Sequence, residues 1–544
     1  MQSLFRGIPV QLASVQRRPA RCKAAIVEAP ALTSENLQRP LGKKVSLVSL
    51  GCPKNVVDGE VLLGDLTRAG FSVTDNHEES DAIIVNTCAF VEDAKSESLE
   101  AIVEAASLNE DGKRRQVVIT GCLAQRYSEQ LASDLPEADL VVGFQNYGNL
   151  AVSLQRAMGL ELTPEALALA EAAEGQRQQQ LQQQGPAGMT MTAPGAEERV
   201  SALAGAQAAT TAETGPSTAQ RVQVGAATVP FRPEWNRYRL TPRHSAYLRV
   251  AEGCNHACTF CAIPGFRGKF RSKPWQAVLD EARHLVASGV KELNLIAEDT
   301  NQYGMDRRDG RDLAQLLREL AQLEGLHWIR ILYAYPSYFN DALIDEIANN
   351  PQVCKYLDMP LQHISNLTLL AMNRPPREHT LKLLNTLRSR IPDLALRTTF
   401  ISGFPGETDE QHRELVDFVK TFKFERMGCF AFSEEDGTAA ASLPDQLPQR
   451  LRERRRDELI SLQQRIGEEW AEGMVGREVD VLVEGYNDDD WLIGRTQWDA
   501  PDVDPLVFLT DSEDVAIPRL EAGQIRRCVI TSNSLFDLEA TPVA

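Results

Sequence analysis

The stretch Cys254-Asn-His-Ala-Cys258-Thr-Phe-Cys261 places three thiols close together, with three residues in the first gap and two in the second. A [4Fe–4S] cluster takes four thiolate ligands, so a motif that supplies three leaves one iron open to a substrate or cofactor. Structural zinc sites usually pair two ligands with two more elsewhere, and nothing near this motif completes a second pair. The spacing therefore favours an iron–sulfur cluster over zinc.

The motif follows a predicted strand, and that strand is the first of six. From residue 243 to about residue 433, strand candidates alternate with helices. These strands are Tyr247–Ala251, Glu292–Ala297, Ile329–Tyr333, Tyr356–Met359, Leu396–Ile401 and Gly428–Phe432. Six βα units predict an open (β/α)6 barrel, in which the chemistry lies at the carboxyl ends of the strands. Cys254 begins the loop at one such end.

The N-terminal part of the chain also alternates strand and helix. The predicted strands are Val45–Leu50, Asp81–Asn86 and Gln116–Thr120, with helices over Val56–Ala69 and Ala89–Glu104. This alternation predicts an α/β fold, a doubly wound parallel sheet with helices on both faces, over residues 43–155.

A second set of cysteines follows these three strands. Cys52, Cys88 and Cys122 each lie just past a strand end. Because the carboxyl ends of parallel strands meet at one edge of a sheet, we expect the three thiols to converge there. The arrangement predicts a second cluster with three protein thiolates and one open iron. The alternative is three separately buried core cysteines, although core cysteines would more naturally lie within strands.

Polar residues follow several of the predicted barrel strands, and we expect them to contact a bound cofactor. These residues are Glu298, Asp299, Gln362, His363, Gly403, Gly406 and Glu407. The two glycines form a turn in which backbone could approach a ligand closely. Helix capping is the other interpretation of Glu298 and Asp299, and a structural hydrogen bond is the other interpretation of His363.

The rest of the chain has three parts. Residues 163–229 are rich in Ala, Gln, Gly, Thr and Pro, which predicts a disordered insertion within a linker over residues 156–242. Pro444–Trp470 is a predicted charged helix that completes a central domain over residues 243–470. Short β-like runs after Gly476 predict a small antiparallel β-barrel over residues 471–540.

Composition limits the class of protein. The 544 residues carry a formal net charge of −19, which disfavours a general nucleic-acid binder, and no apolar run is long enough to predict a membrane span. Ten cysteines in so long a chain suit metal sites in a reducing compartment better than disulfides. The other cysteines, Cys354, Cys429 and Cys528, are interpreted as core residues.

The first 42 residues are interpreted as a targeting segment. Basic residues precede the first acidic residue, Glu28, among Ser, Ala and Gln. They are Arg6, Arg17, Arg18, Arg21 and Lys23, and Cys22 lies among them. This composition is typical of an organellar transit peptide. We expect the chloroplast, with the mitochondrion not separable by composition and a cytoplasmic chain with a disordered extension as the alternative.

The order of the two cysteine sets, the barrel and the small β domain resembles the methylthiotransferase family of radical S-adenosylmethionine (SAM) enzymes. The resemblance covers roughly residues 43–540 apart from the insertion. It implies two [4Fe–4S] clusters, with Cys52, Cys88 and Cys122 as ligands of an auxiliary cluster. The ligands of the SAM cluster would be Cys254, Cys258 and Cys261. The open iron of that cluster would chelate SAM, which one electron cleaves to a 5′-deoxyadenosyl radical.

Local residues resemble the RimO-like branch of this family rather than the MiaB-like branch, which modifies a tRNA adenosine. The similar stretches are Gly51-Cys-Pro-Lys-Asn55, Cys254–Pro264, Pro360-Leu-Gln-His363 and Ile493–Asp502. The RimO-like branch methylthiolates an aspartate of small-subunit ribosomal protein 12, and the C-terminal domain resembles its substrate-binding TRAM module, an OB-like barrel. Residues 468–544 hold eighteen acidic and five basic residues, a net charge of −13 that would repel tRNA and attract a basic protein.

The resemblance also implies the partners. They are ribosomal protein 12 as a basic protein substrate and a ferredoxin or flavodoxin as electron donor. We expect no membrane association, no tRNA binding and a monomer. The alternatives are a MiaB-like tRNA methylthiotransferase and a non-catalytic iron–sulfur protein that binds ribosomes, and the acidity could also serve solubility alone.

Overall fold

The N-terminal domain is a parallel sheet covered by helices, as the alternation predicts. This computed structural model describes residues 40–184, 221–231, 234, 236–511 and 520–543. The elements are β1 (Lys44–Ser49), α1 (Pro53–Arg68), β2 (Ser72–Val73), β3 (Ala82–Thr87), α2 (Glu92–Ser107), β4 (Gln116–Thr120), α3 (Gly121–Asp134), β5 (Leu140–Val142), α4 (Leu150–Ala157), α5 (Pro164–Gln184) and β6 (Val222–Gln223). The strand order is β2-β1-β3-β4-β5-β6, with every pair parallel. Every residue of β3 is buried, as a continuous apolar run in a sheet covered on both faces requires.

The predicted insertion is partly ordered, which corrects the prediction of disorder for residues 163–229 and the domain boundary at 155. Helix α5 packs Ala166 into the N-terminal core, with Leu162, Leu169 and Ala170 alongside it. Strand β6 completes the sheet. Ala, Leu and Gln favour helix strongly, and a few apolar positions on one face are enough to dock it. Residues 185–220 lie outside the described residues, as does the predicted targeting segment up to residue 39.

The central domain is an open barrel of six parallel strands, which confirms the predicted architecture. Its elements are β7 (Ser245–Arg249), β8 (Ala251–Glu252), α6 (Ile263–Arg267), β9 (Arg271–Ser272), α7 (Trp275–Ala287), β10 (Glu292–Ile296), α8 (Leu313–Leu320), β11 (Trp328–Ile331), α9 (Asp341–Asn349), β12 (Val353–Asp358), α10 (Asn366–Ala371), α11 (Arg377–Arg390), β13 (Ala395–Ser402), α12 (Asp409–Phe422), β14 (Arg426–Ala431) and α13 (Gln449–Glu472). The six main strands lie side by side in chain order, as β7, β10, β11, β12, β13 and β14. Short 3₁₀ turns lie at Leu108–Asp111, Phe144–Asn149, Thr300–Gln302 and Ala440–Ser442.

The C-terminal domain is a closed five-stranded barrel. Its strands are β15 (Glu478–Tyr486), β16 (Leu492–Arg495), β17 (Val507–Leu509), β18 (Ile525–Ser534) and β19 (Asp537–Pro542). One detail differs from the prediction of an antiparallel barrel. Strand β17 pairs with β19 in parallel, so the barrel is not wholly antiparallel.

The loop after β16 closes the concave side of the open barrel. It contacts five of the six barrel strands, through Tyr247, Arg330, Tyr356, Arg397 and Arg426. The Tyr356 hydroxyl donates to Asp504 at 2.6 Å, and Arg426 pairs with Asp499 at 2.6 Å. Some of the C-terminal acidity therefore neutralises the interior of the barrel. Among the described helices, none is both long and apolar enough to cross a bilayer.

Candidate functional site

The first cysteine set lies on the loop at the carboxyl end of the first barrel strand. Gly253, at φ +77°, precedes it, and a Cβ on that glycine would lie 2.3 Å from the carbonyl oxygen of Lys269. Only glycine therefore lets this loop approach the returning chain so closely. The Cys254 amide donates to the Gly268 carbonyl at 3.0 Å, and the Cys261 amide donates to the Cys258 carbonyl at 3.1 Å. These bonds hold the three thiols in one compact loop.

A stack of three side chains lies against this loop. The His256 ring stacks on Tyr335, with the two ring centroids 3.6 Å apart, and one of its nitrogens lies 2.7 Å from an Asp299 carboxylate oxygen. The Arg374 guanidinium lies 4.0 Å from the centroid of the same tyrosine ring and donates to the Cys258 sulfur at 3.8 Å. The stack therefore links Asp299 at the end of β10 to the sulfur of Cys258. Sequence reasoning missed it, although His256 lies between two of the cysteines.

The second cysteine set meets at one edge of the N-terminal sheet, because β1, β3 and β4 are adjacent. Cys52 is the N-cap residue of α1, and Cys122 lies in the first turn of α3. A helix amino terminus favours a negative thiolate. A Cβ built on Gly51 would lie 2.9 Å from the Cys88 sulfur, and the Cys122 sulfur lies 3.5 Å from the Asn55 amide oxygen. The three cysteines are thus neighbours in space, although 70 residues separate the first from the last.

Glycine is required at the third strand end. Gly121 has φ +91°, and a Cβ there would lie 2.4 Å from the Thr87 carbonyl oxygen. The close backbone approach brings Cys122 beside the chain segment that carries Cys88.

Burial raises the pKa of several of these thiols. Burial, followed by the neighbouring thiol of Cys52, raises the pKa of Cys88 to about 11. In the first set, burial raises the pKa of Cys254 and of Cys261 to about 12, and nearby cysteines add to both shifts. A bound metal stabilises the thiolate and offsets this cost. We therefore expect these thiols to lose their protons only when a metal binds to them.

In the part of the chain that the structure describes, no three His, Cys, Asp or Glu side chains surround one point closely enough to hold a single metal ion.

One buried arginine lies between the two cysteine sets. Arg267 ends α6, directly after the first set, and its guanidinium pairs with Asp58 of α1 at 2.8 Å and with Glu252 at 3.3 Å. The same side chain donates to the Asn55 amide oxygen at 2.8 Å and lies 3.8 Å from the Cys122 sulfur. Arg267 therefore joins the second cysteine set to the domain that carries the first.

The predicted cofactor residues divide into two groups, and the first group has unpaired polar atoms. Both carboxylate oxygens of Glu298, one of Asp299 and the side-chain oxygen of Gln362 are buried without a hydrogen-bond partner among the described residues. The nearest cation to Glu298 is Arg267 at 3.8 Å, beyond hydrogen-bond distance. Buried polar atoms are rarely left unsatisfied. These acceptors at the carboxyl face of the barrel therefore suit the donor groups of a ligand such as SAM.

The second group has structural contacts. Glu407 accepts from the Gly403 amide at 2.8 Å and pairs with Arg455 at 2.7 Å, so its carboxylate organises its own turn. A Cβ on Gly403 would overlap Arg452 of α13, so the close approach at that glycine is made by a helix. His363 is fully buried, and its Nδ1 accepts from the Ser365 amide at 3.0 Å. Its Nε2 lies 3.6 Å from Glu407 and, like the atoms of the first group, has no hydrogen-bond partner among the described residues. At Gly406, in contrast to Gly403, an added Cβ would have no neighbouring atom within 4 Å among the described residues. Cofactor contact by these four residues stays a prediction.

The remaining predicted core cysteines, Cys354, Cys429 and Cys528, are all buried. Cys22 lies outside the described residues.

Comparisons with known proteins match all three domains. Residues 44–143 match the uncharacterized protein family UPF0004, residues 248–419 match the radical SAM superfamily, and residues 475–543 match the TRAM domain. The ribosomal protein uS12 methylthiotransferase RimO of Geobacter sulfurreducens is 40% identical to the chain over 499 residues. That alignment covers 91% of this chain and 98% of the relative. The chain belongs to the RimO family.

Two further similarities accompany this assignment. The RimO protein of Clostridioides difficile is 37% identical over 91% of this chain and 98% of its own length. The structure of the radical SAM methyltransferase TsrM from Kitasatospora setae, with cobalamin and a [4Fe–4S] cluster bound, is 17% identical over 73% of this chain and 74% of that one, with a TM-score of 0.46.

Membership of the RimO family confirms the predicted class of enzyme and of cofactor. The RimO family consists of radical SAM methylthiotransferases, whose cofactors are SAM and [4Fe–4S] clusters. The donor set described above fits these groups.

Proposed function

We propose that this chain transfers a methylthio group to the β-carbon of an aspartate in small-subunit ribosomal protein uS12. The observation that carries this proposal is that Arg267, six residues after Cys261, contacts Cys122 of the second set and Asp58 of α1, in a member of the RimO family. In this proposal Cys254, Cys258 and Cys261 hold the cluster that binds SAM. Cys52, Cys88 and Cys122 hold the auxiliary cluster, and a ferredoxin or flavodoxin supplies the electron.

The chemistry divides between the cofactors and the chain. Loaded with SAM, the clusters supply the radical that breaks a C–H bond and the methylthio group that forms the C–S bond, steps that side chains cannot perform. The chain positions the groups. Asp299, oriented by His256, and Glu298 offer acceptors to the amino and hydroxyl groups of SAM. The loop after β16 closes the concave side of the barrel and so limits the access of water to its interior.

Surface charge supports a basic protein as substrate. In the C-terminal domain, Asp488, Asp489 and Asp490 form an exposed turn beside Trp491, whose side chain is 53% exposed. Acidic side chains around an exposed aromatic ring attract basic polypeptide and repel phosphate. This surface supports a ribosomal protein over tRNA as the substrate.

The direct test is mass spectrometry of uS12 and of tRNA nucleosides from cells that lack the gene. We expect uS12 to lose the mass of one methylthio group on an aspartate, and tRNA to be unchanged. Restoring the wild-type gene should restore the modification. Loss of a methylthiolated adenosine instead would select the tRNA reaction, and no change in either would select a non-catalytic protein.

Two cysteine variants separate the proposed roles of the clusters. Cys258→Ala should abolish reductive SAM cleavage, since the SAM cluster would lose a ligand. Cys88→Ala should retain SAM cleavage and lose methylthio transfer. Each should bind about four fewer irons than the wild type. The measurements are iron content, release of 5′-deoxyadenosine and the mass of uS12 after anaerobic reconstitution.

Cys528→Ala is the matched control, because this buried cysteine lies in the C-terminal barrel. It should keep the iron content and both activities. Methylthio transfer by the Cys88→Ala variant would contradict the auxiliary-cluster role.

We also propose that residues 1–42 direct the chain to the chloroplast, on the basis of their basic, Ser- and Ala-containing composition. Isolated chloroplasts should import and shorten the full chain but should not import a chain that begins at residue 43. If only mitochondria import the full chain, the segment targets the mitochondrion. If neither organelle imports the full chain, the segment has no targeting role.

A further inference from the structure

Lys54 is a buried lysine at the junction of the two cysteine sets. It lies on α1, two residues after Cys52, and only 6% of it is exposed. Its ammonium lies 3.4 Å from the Ala297 carbonyl oxygen and 3.4 Å from the centroid of the Tyr333 ring. The side chain therefore reaches from the N-terminal domain to the end of barrel strand β10, next to Glu298.

The ammonium of Lys54 is incompletely paired. A lysine has three N–H donors, and among the described residues this one makes a single long hydrogen bond and one cation–π contact. No carboxylate of the described residues lies within 4.0 Å of it. Glu298, its nearest acidic neighbour along the barrel, has two unpaired oxygens of its own.

Several other buried cations of the described chain have carboxylate partners. Arg249, Arg267, Lys273 and Arg495 each pair with at least two carboxylates. Arg239 forms no ion pair with the described residues, but its guanidinium donates to three carbonyls and a hydroxyl. A buried charge costs free energy unless it is paired and hydrogen-bonded. Lys54 differs from the four carboxylate-paired cations in having no carboxylate partner among the described residues.

The residue beneath the ammonium is strained. Tyr333 has φ +60°, a left-handed conformation that is unfavourable for a bulky residue. The Tyr333 amide donates to Asp358 at 3.2 Å and its carbonyl accepts from the Thr300 amide at 3.0 Å, so the neighbouring strand ends hold it in place. Such strain typically persists at ligand sites, and here it brings an aromatic face under a lysine.

We propose that Lys54 binds the side-chain carboxylate of the aspartate that is modified. The inference rests on the proposed function. In aspartate the carboxyl carbon is bonded directly to the β-carbon, so an anchored carboxylate fixes the reacting C–H bond. An ammonium between the two cysteine sets would hold that bond where both sites reach it. The same contact would select aspartate over asparagine, whose neutral amide gives no charge-assisted bond.

The test compares binding of two proteins, uS12 and uS12 with the target aspartate changed to asparagine. The full chain is reconstituted anaerobically and supplied with SAM but no reductant, so that binding is measured without turnover. We expect the wild type to bind native uS12 more tightly by roughly tenfold to hundredfold, the usual range for a hydrogen bond to a charged group. Lys54→Met should lose this preference, and Lys54→Arg should keep part of it.

Lys44→Met is the matched control, because Lys44 lies at the exposed start of the same domain. It should bind both proteins as the wild type does. Iron content shows whether each variant has kept its clusters. A Lys54→Met variant with full iron content and an unchanged preference would overturn this inference alone. A wild type that fails to modify uS12 once reductant is added would overturn the proposed function as well.

Discussion

The architecture depends on the burial of one guanidinium between two domains. Arg267 is almost completely buried, and its partners come from α1 on one side and from the end of β8 on the other. Asp58 also pairs with Arg249 of the barrel, which pairs in turn with Glu252 and Glu234, so a buried network of opposite charges joins the two domains. Removing one member of such a group leaves an uncompensated charge, at a cost of about 3–5 kcal/mol. The two domains therefore have one favourable docking geometry.

That geometry makes one site out of two sheets. Each cysteine set lies at the carboxyl edge of a parallel sheet, and the ion group turns these edges toward each other. Lys54 and Glu298, with their unpaired polar atoms, lie in the space between. Catalysis by two cofactors on one carbon requires such placement, since the reacting groups must be held close together. The fold supplies the placement, and the cofactors supply the reactivity.

The sequence predicted what depends on short-range pattern. Cysteine spacing and the position of Cys52, Cys88 and Cys122 after strands are local signals, and both sheets follow from strand–helix alternation. The residues at the junction have no local signal, because Arg267 and Asp58 are 209 positions apart. A charged residue two positions after a cysteine, such as Lys54, is indistinguishable by pattern from a surface lysine. Helix α5 was missed because the insertion was judged by its overall composition. The few apolar residues that pack this helix against the N-terminal core do not stand out in that average.

The central claim is that Arg267 holds the two cysteine sets face to face. The ratio of methylthio transfer to SAM cleavage tests it, because both reactions are measured on the same loaded enzyme and partial unfolding lowers them together. In Arg267→Met the ratio should fall at least about tenfold, because the groups held by the two cysteine sets would no longer be correctly placed to react. Arg271→Met, which removes a nearby arginine that contacts the Val229 carbonyl and the Phe231 ring, should keep the wild-type ratio. An Arg267→Met variant with the wild-type ratio would contradict the claim.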